Sequence, residues 1–362
     1  MDDEKKYWVA LSTHQKIGGR TFLKLFKRFR KLAYVWHSSS RKLAEAGLDL
    51  GQTEAVKEVV SKVNLEKEWL RLEKFKIDVL IYPDENYPTL LKELPDPPGV
   101  LYVRGKILSR DNLAIAVVGS RKYTSYGERA TSELVRPLAK KLTIVSGLAL
   151  GIDSLAHRAA LEVDGRTVAV LACGLDRIYP SSNIRLADRI LAGSGAIISE
   201  YPLGMPALKF NFPVRNRIIA GLSLGTLVIE ATLESGSLLT AMSALDYNRE
   251  VFACPGPIFS ETSRGTNKLI KMGAKIVASA EDILEELRIE SPKKTPVLIA
   301  ADSKEEEILL KLLKQPTMVD LLVKKSGLPT ALVNSVLIQM EIKGKVTNLG
   351  GSQYVINGIL EK

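Results

Sequence analysis

Lys209, Phe210, Phe212, Arg215, Asn216 and Arg217 crowd the start of the stretch KFNFPVRNRIIAGLS, residues 209–223. Cations interleaved with aromatics suit a nucleic-acid strand, whose phosphates pair with the charges while its bases stack on the rings. Pro213 fixes one backbone dihedral just ahead of the apolar run Ile218-Ile219-Ala220, so a helix is expected to open near 214–217, with Arg215 and Arg217 at its start. A helix start already carries partial positive charge. Two arginines there cost about 0.3–1 kcal/mol each unless an anion or a carboxylate offsets them, and phosphate is a suitable anion. The same residues allow a structural alternative, with one phenylalanine in the core and the arginines in salt bridges.

Such a segment needs a scaffold. Between Leu113 and Leu287 extended apolar runs alternate with helical ones: IAVVG, TIVSG, TVAVLACG, AIISE, GTLVIEA and EVFACPG. That alternation predicts an α/β fold, a Rossmann-like, doubly wound and mostly parallel sheet. Ligands bind such sheets at the carboxyl ends of the strands. Gly119-Ser120-Arg121, Ser146-Gly147, Gly174, Ser199-Glu200 and Ser235-Gly236-Ser237 all follow strands, and so should share one rim. Glycine lets backbone amides approach a ligand, and Ser120 and Arg121 can donate to a phosphate. Tight turns alone would also use glycine, but several on one rim beside Lys209 and Arg215 favour an anion-binding surface.

Other chemistries fit less well. The first strand is followed by GSRKYTSYG rather than GxGxxG, Gly193-Ser194-Gly195 precedes a strand instead of following one, and no GxxxxGK[ST] occurs, so neither a dinucleotide cofactor nor a Walker-type site is expected. No cofactor is expected at all. Asp153, Ser154 and His157 fit a capped helix with a packed histidine better than a triad, Asp153 serving as N-cap. His14, His37 and His157 suggest no metal cluster. Cys173 and Cys254 end apolar runs without CxxC spacing, as buried structural thiols do. Glu230 has two readings: a general acid or base acting on a nucleotide, or a brace for Arg215 or Arg217.

The chain has 362 residues, 46% hydrophobic and 25% charged, and a formal net charge of +10. That charge points to a polyanionic partner, nucleic acid before membrane, since no basic amphipathic segment adjoins a lipid-anchor signal. The start MDDEKKYWVAL lacks the features of a secretory signal and no apolar run approaches the roughly 18 residues that span a bilayer, so a cytoplasmic protein is expected. Residues 1–73 read as a helical domain. Phe22, Leu25, Phe26, Phe29 and Leu32 recur on one face, Lys24, Lys27, Arg28, Arg30 and Lys31 opposite, and Lys16-Ile17-Gly18-Gly19-Arg20 resembles a degenerate helix-hairpin-helix turn with Lys16 where a glycine is usual. Residues 74–288 form the extended Rossmann-like domain, opening with a strand pair at 78–82 and 100–104. A linker follows over 289–303. Residues 304–362 then show winged helix-turn-helix order: helices at 305–313, 317–325 and 329–341, and the hairpin KVTNLGGSQYVI. Residues 330–340 contain no lysine or arginine, so protein contact is as open a role for this module as duplex DNA, for which Lys343 and Lys345 allow a weak nonspecific contact.

The motifs VGSRKYTSYG, SGLALGIDSLAHRAAL, VLACGLDRIYPSSN, SEYPLGMP, FPVRNRIIAGLS, EATLESGSLLTA, VFACPG and GTNKLIKMGA, in this order from about Asp84 to Leu284, resemble the DNA-processing protein A family, also called Smf. The resemblance implies a nonenzymatic protein that binds and protects single-stranded DNA, helps load the RecA recombinase in natural transformation and homologous recombination, and acts as a homodimer. It implies DNA contacts at Arg121, Lys209 and Phe212, with Gly119 and Ser120 beside them. Arg215, Asn216 and Arg217 join the candidate set on their own chemistry, and the apolar residues near Leu269 and Ile270 are a candidate dimer surface. Two alternatives remain open from sequence, a ligand-sensing winged-helix transcription regulator and a nucleotide-processing enzyme using Glu230.

Overall fold

The structure is a computed structural model that describes residues 2–289, 298–313, 315–357 and 359–360. The expected linker falls mainly on residues 290–297, outside the described residues. Residues up to 289 form one compact unit and those from 290 a second.

In the first unit, the helices α1 (Asp2–Ser12), α2 (Gly19–Phe29), α3 (Ser40–Glu45), α4 (Leu50–Lys62) and α5 (Leu65–Lys74) precede a nine-stranded sheet. Its strands are β1 (Asp78–Ile81), β2 (Val100–Gly105), β3 (Ala114–Val118), β4 (Thr143–Ser146), β5 (Thr167–Val170), β6 (Ala196–Ser199), β7 (Gly225–Val228), β8 (Glu250–Ala253) and β9 (Lys275–Ile276). They lie in the order β1-β2-β6-β5-β4-β3-β7-β8-β9. β1 pairs antiparallel with β2 and β2 with β6; from β6 onward every pair is parallel. The parallel strands from β3 to β7 are buried at every position, as strands covered on both faces must be. The covering helices are α6 (Thr89–Lys92), α7 (Ser125–Ala139), α8 (Ile152–Leu161), α9 (Ile184–Ala192), α10 (Asn211–Gly221), α11 (Gly236–Asp246), α12 (Arg264–Lys271) and α13 (Ala280–Glu286). Trp8, Phe22, Leu25 and Leu32 share one core with Val79, Tyr102 and Ile197, so the N-terminal helices pack on the antiparallel end of the sheet. Trp8 and Phe22 stack there, ring centroids 5.2 Å apart.

Two boundaries differ from expectation. α10 begins at Asn211, not near 214–217, because the buried Asn211 amide donates to the carbonyls of Ala172 and Pro206 and anchors the helix start. Pro213 is then its third residue, where a missing N–H leaves no helical bond unmade. Thr317 and Met318 form a short strand, and the second helix of the C-terminal unit starts only at Val319. β9 was invisible as a pattern since two residues have no period. It leaves Met272 and Ile276 more than half exposed at the edge of the sheet.

The second unit carries β10 (Leu298–Ile299), α14 (Lys304–Leu312), β11 (Thr317–Met318), α15 (Val319–Ser326), α16 (Thr330–Ile342), β12 (Val346–Gly350), β13 (Gln353–Ile356) and β14 (Ile359–Leu360). Gly327, at φ +70, ends α15 in the left-handed conformation that glycine adopts without penalty. Leu309, Leu322, Val333, Leu337 and Met340 fill the core between the three helices. Lys343 and Lys345, the cations left for a duplex contact, are both tied to Asp302 and Glu306 at 2.6–3.1 Å. Hydrogen bonds from the two lysines hold the Asp302 carboxyl down at about 2, and Glu306 is also lowered, against its burial, with Lys345 the first opposing group. Carboxyls lowered by folding stabilise above their unfolded range near 4 and lose that contribution as pH falls toward the folded value. The second unit is therefore expected to lose resistance to denaturant between about pH 4 and 2. Methyl NMR signals of Leu309 and Leu337 would follow the loss, and a Lys343→Met/Lys345→Met variant should show a smaller pH dependence. No single described helix is long and apolar enough to cross a membrane.

Candidate nucleic-acid interface

The loops after β3, β4, β5, β6, β7 and β8 and the first turns of α8, α10 and α11 enclose a groove of about 980 Å³. Gly119, Ser120, Arg121, Lys209, Phe212, Arg215 and Asn216 all line it. The loop after β3 owes its shape to close packing: a Cβ on Gly119 would lie 2.7 Å from Ile152 Cγ1, and one on Gly151, at φ +86, only 2.2 Å from the Ser120 carbonyl. Ser120 closes the turn, its backbone N–H donating to the Glu230 carbonyl at 2.7 Å and its hydroxyl to the Lys122 carbonyl at 2.6 Å. That turn delivers Arg121, exposed, into the groove.

Phe212 is the centre of the arrangement. The centroid of its half-buried ring lies 5.3 Å from the Arg121 guanidinium carbon and 5.8 Å from that of Arg215, and Tyr179 packs against it in a T-shaped pair with centroids 5.7 Å apart. Cations at this distance from a ring face are attracted by its quadrupole. Among the described residues neither Arg121 nor Lys209 forms an ion pair. Arg215 is 3% exposed and donates to the carbonyls of Gly147 and Val170, at the ends of β4 and β5. Its Nε bonds Asn216 Oδ1 at 3.1 Å, and Asn216 in turn donates to the Gly236 carbonyl, holding the start of α11 to α10. Burial pushes the Arg215 guanidinium down from its ordinary range, with Asp153 the largest opposing influence. Burial likewise raises Asp153, opposed by Arg215 and by N–H donors from Gly147 and Ala149. Each of the two buried charges offsets part of the other's burial cost.

Gly147 makes this possible, since a Cβ there would stand 2.7 Å from the Arg215 guanidinium. Gly147→Ala is expected to displace Arg215 at a cost of about 1–3 kcal/mol, seen as a lower unfolding midpoint. Arg217 turns the other way. It pairs with Glu200 and donates to the Asp96 carbonyl at 2.9 Å, taking the salt-bridge role open to it from sequence. Phe210 is 57% exposed but does not line this groove.

Glu230 braces neither arginine. Buried at 1% exposure, it accepts from Thr124 N at 2.9 Å, Thr124 Oγ1 at 2.7 Å and Thr262 Oγ1 at 2.8 Å, so it positions the loop that carries Arg121. Asp153 is not the N-cap of α8 but its second residue, the cap being Gly151. His157 is a packed histidine: Nδ1 meets Thr167 Oγ1 at 2.7 Å, and burial drives it down to about 3, keeping it neutral. Ser154 bonds to the Ala149 carbonyl and Asn183, away from any triad. Cys173 and Cys254 are free and buried. Tyr179 has no local sequence signal: YP within a turn carries no period that marks its T-shaped contact with Phe212.

Residues 78–288 match the family model described as DNA recombination-mediator protein A, and 292–352 match the DprA winged helix domain. The chain belongs to the DNA-processing protein A (DprA/Smf) family. Protein Smf of Escherichia coli is 37% identical over 96% of this chain and 95% of its own length, and DNA processing protein DprA of Bacillus subtilis 44% identical over 58% and 71%. The crystal structure of DprA from Streptococcus pneumoniae superposes with a TM-score of 0.67 at 36% identity, over 78% of this chain and 97% of that one. A structure of the Helicobacter pylori protein, described for its single-stranded DNA binding mode, matches at TM-score 0.52 and 34% identity, over 59% and 96%. The DprA/Smf architecture thus extends through both units.

Proposed function

We propose that this protein binds single-stranded DNA along the strand-end groove, Arg121 and Lys209 holding phosphates and Phe212 stacking a base. The observation that carries the reading is one half-buried phenyl ring with two guanidiniums 5.3 and 5.8 Å from its centroid, the nearer one, on exposed Arg121, making no ion pair among the described residues. Such a site offers charge and a π-face but little hydrogen-bond readout, which gives sequence-tolerant, salt-sensitive binding. The Helicobacter relative's single-strand binding supports the same assignment. Glu230, held by three donors, acts as a positioning group and not as an acid or base. The winged helix gives the duplex reading less support, because α16 has no lysine or arginine and Lys343 and Lys345 are spent on Asp302 and Glu306.

The wider role is that of its family: to protect incoming strands in the cytoplasm and help load RecA recombinase, as a homodimer. Of the apolar residues near Leu269 and Ile270 expected at a dimer surface, Leu269 is buried and Ile270 partly buried, which leaves Met272 beside them as the exposed one. The edge at β9, with Met272 and Ile276 exposed, is the better candidate, since an open strand edge is a template for pairing. The binding reading is tested by competing a labelled oligo-dT against unlabelled oligo-dT and a matched duplex. The single strand is expected to compete far better, and preference for duplex would refute the assignment.

A further inference from the structure

The first turns of α10 divide two cavities. Phe212, Arg215 and Asn216 face the groove described above, while Phe210, Val214 and Arg217 face a second cavity of about 400 Å³. Phe210 and Val214 are 57% and 44% exposed, apolar side chains at a cavity mouth instead of in the core. Across from them lies the glycine turn that starts α2. Its N-cap Gly18 offers no side-chain cap and its first turn holds no acidic residue, although Asp96 and Glu200, both engaged with Arg217, line the same cavity. Gly19 is pressed on the Pro97 carbonyl, which a Cβ would approach to 2.3 Å, whereas a Cβ on Gly18 would meet nothing within 4 Å. The exposed Arg20 stands at the same end. Glu200 lies in the wall: Oε2 takes Arg217, and Oε1 is buried away from the cavity.

We infer that a single strand in the first groove continues over the start of α10 into this second cavity, where Phe210 stacks a further base and the α2 start with Arg20 holds a phosphate. This extends the single-strand reading above and rests on it. An exposed ring, an exposed arginine and a helix start with no acidic residue in its first turn, all on one cavity, together fit a nucleotide unit with its base and phosphate. Lys209 lines the first cavity and its neighbour Phe210 the second, so a strand crossing between them never leaves the site.

The test measures binding of oligo-dT of about 6 and about 15 nucleotides to the full chain and its Phe210→Ala, Arg20→Ala and Phe212→Ala variants. Phe210→Ala and Arg20→Ala are expected to weaken the longer oligonucleotide about fivefold or more while leaving the shorter one nearly unchanged, and Arg20→Ala should also flatten the salt dependence of the longer one alone. Phe212→Ala should weaken both. Unchanged binding of the longer strand by the first two variants would overturn the inference, as would equal losses at both lengths, which would put Phe210 in the first groove. If the wild-type chain bound neither length, the single-strand reading itself would fall. Phe210 and Arg20 are exposed, and circular dichroism would establish that both variants fold.

Discussion

Phe212→Ala is expected to weaken oligo-dT binding by about 1–3 kcal/mol, roughly 5- to 150-fold, while leaving its salt dependence nearly unchanged. The ring supplies stacking area and no charge, so its loss releases no fewer counterions. Arg121→Ala should weaken binding as well, but with a slope of log K against log salt reduced by about 0.7 for each phosphate no longer neutralised. The contrast separates the roles, and fluorescence anisotropy over a salt series reads both. Because the Arg121 guanidinium rests 5.3 Å from the Phe212 ring, the double variant should lose less than the sum of the single losses. Strict additivity would mean that the two side chains act independently.

The largest stability effect is expected far from the groove. Asp111 and Arg166, 7% and 4% exposed, form a buried pair, with Arg166 Nε to Asp111 Oδ1 at 2.5 Å and Nη2 to Oδ2 at 2.6 Å. Arg166 also donates to the carbonyls of Lys106 and Ser194, and Thr143 Oγ1 donates to Asp111 at 2.9 Å. The network ties together the starts of β3, β4 and β5, the strands whose far ends form the groove. Asp111→Asn leaves the guanidinium buried without its counter-charge and should cost about 3–5 kcal/mol. Urea unfolding would measure it. Asp111→Leu/Arg166→Met, which removes both charges, should cost less than the single change, and a larger loss in the double variant would contradict this account.

Much of this site was legible in the chain, for identifiable reasons. Strand runs such as IAVVG and AIISE are apolar at nearly every position, as a sheet covered on both faces requires, and so the rim after them could be placed before any side chain was. The cations and rings of 209–217 were legible as chemistry, but not as direction. A helix turns each residue by about 100°, so Arg215 and Arg217, two apart, were bound to point to different sides once α10 began at Asn211. One lies beneath Phe212 and the other pairs with Glu200. The helix start itself was misplaced because Pro213 reads as a boundary, whereas the anchor is the Asn211 side chain bonded to Ala172, 39 residues earlier in the chain. Long-range contacts of that kind have no local signature. Glu230 stands out as a candidate group for the same reason that its role is hidden: a carboxylate at a strand end has a recognisable type, while its partners, Thr124 and Thr262, come from other loops. Asp153 has local partners, Gly147 and Ala149, but they lie in the turn before the helix instead of at its N3 position.

The most direct test of the central claim is ultraviolet crosslinking of oligo-dT to the 362-residue chain, with the attached peptides identified by mass spectrometry. Thymine bases lying on the strand-end groove should crosslink to Phe212 and Tyr179, and the adducts should disappear with Arg121→Ala or when salt is raised. Crosslinks confined to residues 304–357, with none on the 209–217 segment or Tyr179, would move the site to the winged helix and contradict the account.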